Sequence, residues 1–131
     1  MAVMQWSDKL QLNVKSIDDQ HHKLLDLMNK LHDSYQNKDV FSTQHKYLDE
    51  LGAATVQHFQ DEEVYMESIN YDGLAVHKII HQDLLEKFTD HKNKALEAQA
   101  LTDGFFTFLK VWLTAHIMGI DVKYTRASNA A

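Results

Sequence analysis

The chain has 131 residues, a formal charge of −6 at neutral pH, no cysteine and no proline. Without cysteine there are no disulfides, no thioether-bound haem and no thiolate metal sites; the acidity, with no basic run to offset it, argues against a nucleic-acid partner. With no proline and only four glycines, 44% hydrophobic and 24% charged residues favour long uninterrupted helices, and the length suits one domain over residues 1–131. The opening stretch MAVMQWSDKLQLNVKSIDDQ lacks the apolar core of a signal peptide, and no segment is apolar for long enough to span a bilayer. A cytoplasmic protein with no membrane association is expected.

Residues 1 to about 17 read as an extended arm, and a first helix is predicted over about 18–37, with acidic residues in its first turn where the helix dipole favours them. Its apolar stripe is Leu24, Leu25, Met28, Leu31 and Tyr35. A second helix is predicted over about 42–69, capped by Ser42 or Thr43, with Leu48, Leu51, Thr55, His58, Glu62 and Met66 along one side. After the turn signal NYDG, a third runs over about 74–98 and aligns Leu74, His77, His81, Leu84 and Phe88. A fourth, over about 102–120, is capped by Thr102 or Asp103 and carries Phe105, Leu109, Trp112, Leu113 and His116. Four amphipathic helices joined by short loops predict an all-α, antiparallel up-down-up-down four-helix bundle with an extended N-terminal arm.

Certain histidines lie on the apolar stripes rather than opposite them: His21, His58, His77, His81 and His116, with Glu62 one turn beyond His58. Antiparallel order brings together the start of the first helix, the end of the second, the start of the third and the end of the fourth. These five histidines and Glu62 should therefore converge at one end of the core. A lone histidine on an apolar face is usually a hydrogen-bonded core residue. Five at one level with a carboxylate are costly to desolvate unless they hold a metal, and such clusters mark metal sites. His22 faces about 100° away from His21 and should be solvated, and His32 and His91 lie roughly 15 Å from the cluster along their helices.

The segments DDQHHKLLDLMNKLH, HFQDEEVYM, HKIIH and WLTAHIMGID, taken in this order, resemble the hemerythrins, most closely the single-domain bacteriohemerythrins. The HxxxE, HxxxH and HxxxxD elements are weak singly and highly specific together. Lys15 and Leu25 depart from the family, where glycine and phenylalanine are frequent, without touching a motif residue. The resemblance implies two iron ions with a bridging oxo or hydroxo group. His77, His81 and His116 would hold one, His21 and His58 the other, and Glu62 and Asp121 would bridge them. That count leaves one coordination position open on the His21 and His58 side, which is what separates a reactive site from a structural one. Neutral imidazoles outnumber carboxylates, which favours holding dioxygen over splitting it.

The resemblance thus implies a non-haem protein that binds dioxygen reversibly for transport, storage or sensing, and not an enzyme. Leu24, Phe59, Trp112, Leu113 and Ile117 lie within a turn of the ligands and are expected to line a dry oxygen pocket. A di-iron oxidase, peroxidase or nitric oxide-handling enzyme on the same ligands is the alternative, and a zinc-stabilised bundle is a third reading. No proton relay or substrate cleft supports the enzyme. A monomer is expected, since no outer face is obviously adhesive. Because His116 and Asp121 are five residues apart, a regular helix would set them roughly 140° apart. The fourth helix should therefore end or widen between Ile117 and Asp121, as a π-type turn or a break beside Gly119.

Overall fold

The computed structural model describes residues 15–116. They form four helices, α1 (Lys15–Gln36), α2 (Phe41–Ser68), α3 (Leu74–Ala98) and α4 (Asp103–Ala115), in an antiparallel bundle in which α1 packs on α2 and α2 on α3. The core is the sum of the inward stripes: Met28 and Leu31 of α1, Leu48 and Leu51 of α2 and Leu109 of α4 are fully enclosed. Gly52 lets α3 come close to α2, since a Cβ there would stand 3.2 Å from the Phe88 ring. Between helices, Lys92 reaches Asp49 at 2.6 Å, and the Tyr35 hydroxyl donates to Asp103 Oδ1 at 2.9 Å. None of the helices is long and apolar enough to cross a membrane.

Two boundaries differ from the sequence reading. The first helix begins at Lys15, so residues 15–17, assigned to the arm, are helical; the rest of the arm lies outside the described residues. The reason is Ile17, which is buried and extends the stripe His21, Leu24, Met28, Leu31 by one turn. The second helix is capped by neither Ser42 nor Thr43. Its N-cap is Val40, with no side-chain bond to the helix, and Gln44 Nε2 ties the first turn down by donating to the Asp39 carbonyl at 2.7 Å. At α4 the expected cap is present, Thr102 Oγ1 accepting from the Phe105 amide at 3.3 Å.

Turns are made with few glycines. Lys38, Asn70 and Gln99 take left-handed backbone with φ near 55°, at 57°, 53° and 54°. Gln99 ends α3 in that conformation, the place where glycine is usual. At the other end of α4 the backbone turns π-helical at His116, immediately before the interval where the sequence demands a widened turn. That interval, with Ile117, Gly119 and Asp121, lies outside the described residues.

Candidate metal centre

His21, His58, Glu62, His77, His81 and His116 are all buried, Glu62 completely, and they come from all four helices. Each reaches the centre for the same reason. On α2 and α3 the pairs His58 with Glu62 and His77 with His81 are four residues apart, so both members project from one face. His21 takes the place of a core residue in the α1 stripe, and His116 the equivalent place at the end of α4.

Glu62 is the point they share. Its Oε1 stands 3.9 Å from His81 Nε2 and 3.8 Å from His116 Nε2, and its Oε2 stands 4.0 Å from His77 Nε2. His81 Nε2 and His116 Nε2 are 3.3 Å apart. The same Oε1 touches His58 Nε2, and the His58 and His21 rings meet edge to face at 4.7 Å. Two overlapping donor groups result, Glu62 with His77, His81 and His116, and Glu62 with His21 and His58; within each, the donor atoms lie within 4.8 Å of one another.

Imidazole nitrogen with carboxylate oxygen is a donor set for first-row transition metals. At bonds of about 2.1 Å, two donors of one ion stand about 3.0 Å apart at right angles and about 4.2 Å apart when opposite. The separations of Glu62 from His77, His81 and His116 and of His81 from His116, between 3.3 and 4.0 Å, fall inside that window. The residues present therefore fit a metal ion.

Outside the donors, two histidines are oriented by partners that the sequence reading did not single out. His81 Nδ1 donates to Glu63 Oε2 at 3.0 Å, and His58 Nδ1 pairs with Gln20 Oε1 at 2.6 Å. A metal-binding histidine characteristically donates its second ring nitrogen in this way. The only trace in sequence is adjacency, since Gln20 precedes His21 and Glu63 follows Glu62. Burial pushes the His81 imidazole down to about 4, against the hydrogen bond to Glu63 and the charge of Glu62, which both act to raise it. It is therefore neutral near pH 7, with its Nε2 lone pair directed at the centre.

The apolar residues expected to form one oxygen pocket divide between several surroundings. Phe59 lies flat on His81, with centroids 3.9 Å apart and planes 4° from parallel, and meets Trp112 edge-on at 6.0 Å. Leu24 borders a cavity of about 120 Å³ between α1 and α2, beside His58. Trp112 instead borders an apolar groove of about 380 Å³ between α3 and α4 that reaches His116. Leu113 is buried core, and Ile117 lies outside the described residues. Away from the centre, His22 is solvated, while His32 packs edge-on against Phe106 at 4.8 Å and His91 stacks on Phe108 at 4.5 Å.

A four-helix bundle that directs buried histidines from every helix at one shared carboxylate is a metal-binding bundle protein by architecture. The family described as Hemerythrin HHE cation binding domain matches residues 12–127, and the chain belongs to the hemerythrin family. It is 35% identical over 126 residues to the bacteriohemerythrin of Methylococcus capsulatus, covering 95% of each chain. To the bacteriohemerythrin of Stenotrophomonas maltophilia it is 30% identical over 124 residues, 95% of this chain and 80% of that one. The crystal structure of wild-type hemerythrin superimposes with a TM-score of 0.87 at 33% identity, covering 96% of this chain and 98% of the other.

Proposed function

We propose that this chain is a non-haem di-iron protein that binds dioxygen reversibly. His77, His81 and His116 hold one iron, His21 and His58 hold the other, and Glu62 bridges the two. Asp121 is the second bridging carboxylate, an assignment that rests on the likeness of WLTAHIMGID to the family pattern. The observation that supports the reading most is the sharing of Glu62 by two buried donor groups, which suits a metal pair better than a single ion.

A bound iron pair would supply the redox-active centre for which dioxygen has affinity. The protein supplies the rest. Glu62 is the sole carboxylate common to the two groups, so the described donors are mostly neutral, which favours binding over oxygen splitting. The His21 and His58 side carries one histidine fewer, and dioxygen is assigned to that side. Glu63 and Gln20 hold the outer nitrogens of His81 and His58, leaving Nε2 of each to face inward. Leu24 beside His58, Phe59 on His81 and Trp112 beside His116 place apolar volume next to the ligands and limit water there. Whether the oxygen is carried, stored or sensed depends on its affinity and release rate.

The test is anaerobic loading with Fe(II), metal analysis, and visible spectroscopy on admission of air. Two irons per chain and a charge-transfer band that appears in air and disappears under vacuum are expected. Failure to bind iron, or a band that never reverses, overturns the reading. Rapid turnover of peroxide or nitric oxide would favour the enzyme alternative.

A further inference from the structure

Helix α4 is apolar almost all round. Its polar residues are Asp103, Thr107, Lys110 and Thr114, and a helix of that kind is normally covered on every side. Phe105, Leu109, Trp112 and Leu113 take the inward side. Val111, two residues from both Leu109 and Leu113, points away from them and is left 61% exposed. Helix α3 presents a second outward apolar surface beside it. Val76 and Ile79 are 62% and 66% exposed, and Ile80 and Leu84 line the groove of about 380 Å³ opposite Phe108 and Val111. No carboxylate lines that groove, although the chain carries a net charge of −6. Lys87 does line it, and Asp83, one turn away on α3, is bonded to Lys87 at 2.9 Å.

We infer that this face joins two copies of the chain in a weak twofold dimer, whatever metal the centre holds. The face complements itself. A twofold axis through the middle of the groove lays α3 of each copy over α4 of the other, so Ile80 faces Phe108 and Leu84 faces Val111, each pair occurring twice. Charge favours the same contact. Two chains of charge −6 repel over most of their surfaces, and they approach with least repulsion where the only carboxylate at the edge, Asp83, is already paired. The apolar surface also continues past the groove to Val76 and Ile79, further than a small molecule seated in the groove would cover. Eight residues line the groove, against roughly 20–30 a side in a standard interface, so the dimer is weak, with Kd of roughly 10–100 µM. Because the groove reaches His116, the second copy also covers that residue from outside.

The experiment is sedimentation velocity of the full chain, with and without iron, from about 5 to 500 µM, a range that brackets the expected Kd. The wild type should pass from monomer to dimer within it. Raising the salt concentration should tighten the dimer, because salt screens the mutual repulsion and leaves apolar contact intact. Val111→Glu sets two carboxylates against apolar residues across the axis and should raise Kd by at least about tenfold. Ile79→Glu makes the same change from the other helix, and circular dichroism checks that each variant is folded. Val64→Glu is the control for added charge: Val64 is 67% exposed on α2 between Asp61 and Glu67, away from this face, and its Kd should stay near that of the wild type. Weakening by either folded variant, with Val64→Glu unaffected, upholds the inference. A chain that stays monomeric throughout the range overturns it and leaves the face to a different occupant. A dimer that both folded variants leave intact, or that salt dissociates, overturns it as well, since its contacts then lie elsewhere.

Discussion

Phe59→Leu separates packing from ligation at the centre. Phe59 is 2% exposed and belongs to no donor group, yet its ring covers the face of His81 at 3.9 Å and lies 5.5 Å from His116 and 5.9 Å from His58. Leucine keeps an apolar side chain but removes the flat surface. Lost burial and the residual cavity together cost about 1–2 kcal/mol, and the lost ring pairs cost about 0.5–1.5 kcal/mol more. A total of about 1.5–3.5 kcal/mol lowers Tm by roughly 5–13 °C in a domain of this size. Because Glu63 still holds His81 Nδ1, Fe(II) affinity should fall by less than about tenfold, below the usual cost of losing an outer hydrogen bond. Circular dichroism melting of the metal-free protein and an anaerobic Fe(II) titration read the two effects separately. A Tm within about 2 °C of wild type would show that the stack contributes nothing to stability. An iron affinity reduced beyond about a hundredfold would show that the ring, and not Glu63, holds His81 in place.

His81→Ala should leave fewer than two irons per chain by metal analysis, whereas His22→Ala, one residue from His21 but solvated, should leave both. Leu113→Asn places an amide in a site 2% exposed and three residues before His116, and should speed decay of the oxygenated form several-fold while costing about 1–3 kcal/mol in stability; an unchanged decay rate would leave Leu113 a packing residue only. The metal-free protein should lose stability on acidification, because the folded His81 value of about 4 lies below the ordinary 6.5. The His81 contribution is complete above pH 6.5 and is lost as pH falls towards about 4, where the unfolded chain takes the proton first. It amounts to roughly 3 kcal/mol, and chemical denaturation of the metal-free wild type and His81→Ala across that range would measure it.

Side-chain period carried most of the fold, because each helix has a single apolar face and histidines on that face have nowhere to point but inward. The residues of α2 from Leu48 to Met66 that share the stripe are all buried. Capping was less legible. Ser42 and Thr43 are good caps by chemistry, but the Gln44 side chain, bonded to the Asp39 carbonyl, starts α2 earlier. The start of α1 lies ahead of the acidic first turn that marks it in sequence, because Ile17, one helical turn before His21, is buried and extends the stripe. Gln20 and Glu63 were illegible for a different reason. Their partners lie 38 and 18 residues away, so the bonds depend on how neighbouring helices are rotated, which period alone does not specify.

The central claim is that Glu62 is shared between two metals. Crystals of the iron-loaded protein, with anomalous diffraction measured on either side of the iron absorption edge, test it directly. The account predicts two iron peaks, one bonded to His77, His81 and His116 and the other to His21 and His58, with a carboxylate oxygen of Glu62 bonded to each. A single peak, or a second peak that Glu62 does not touch, would contradict it.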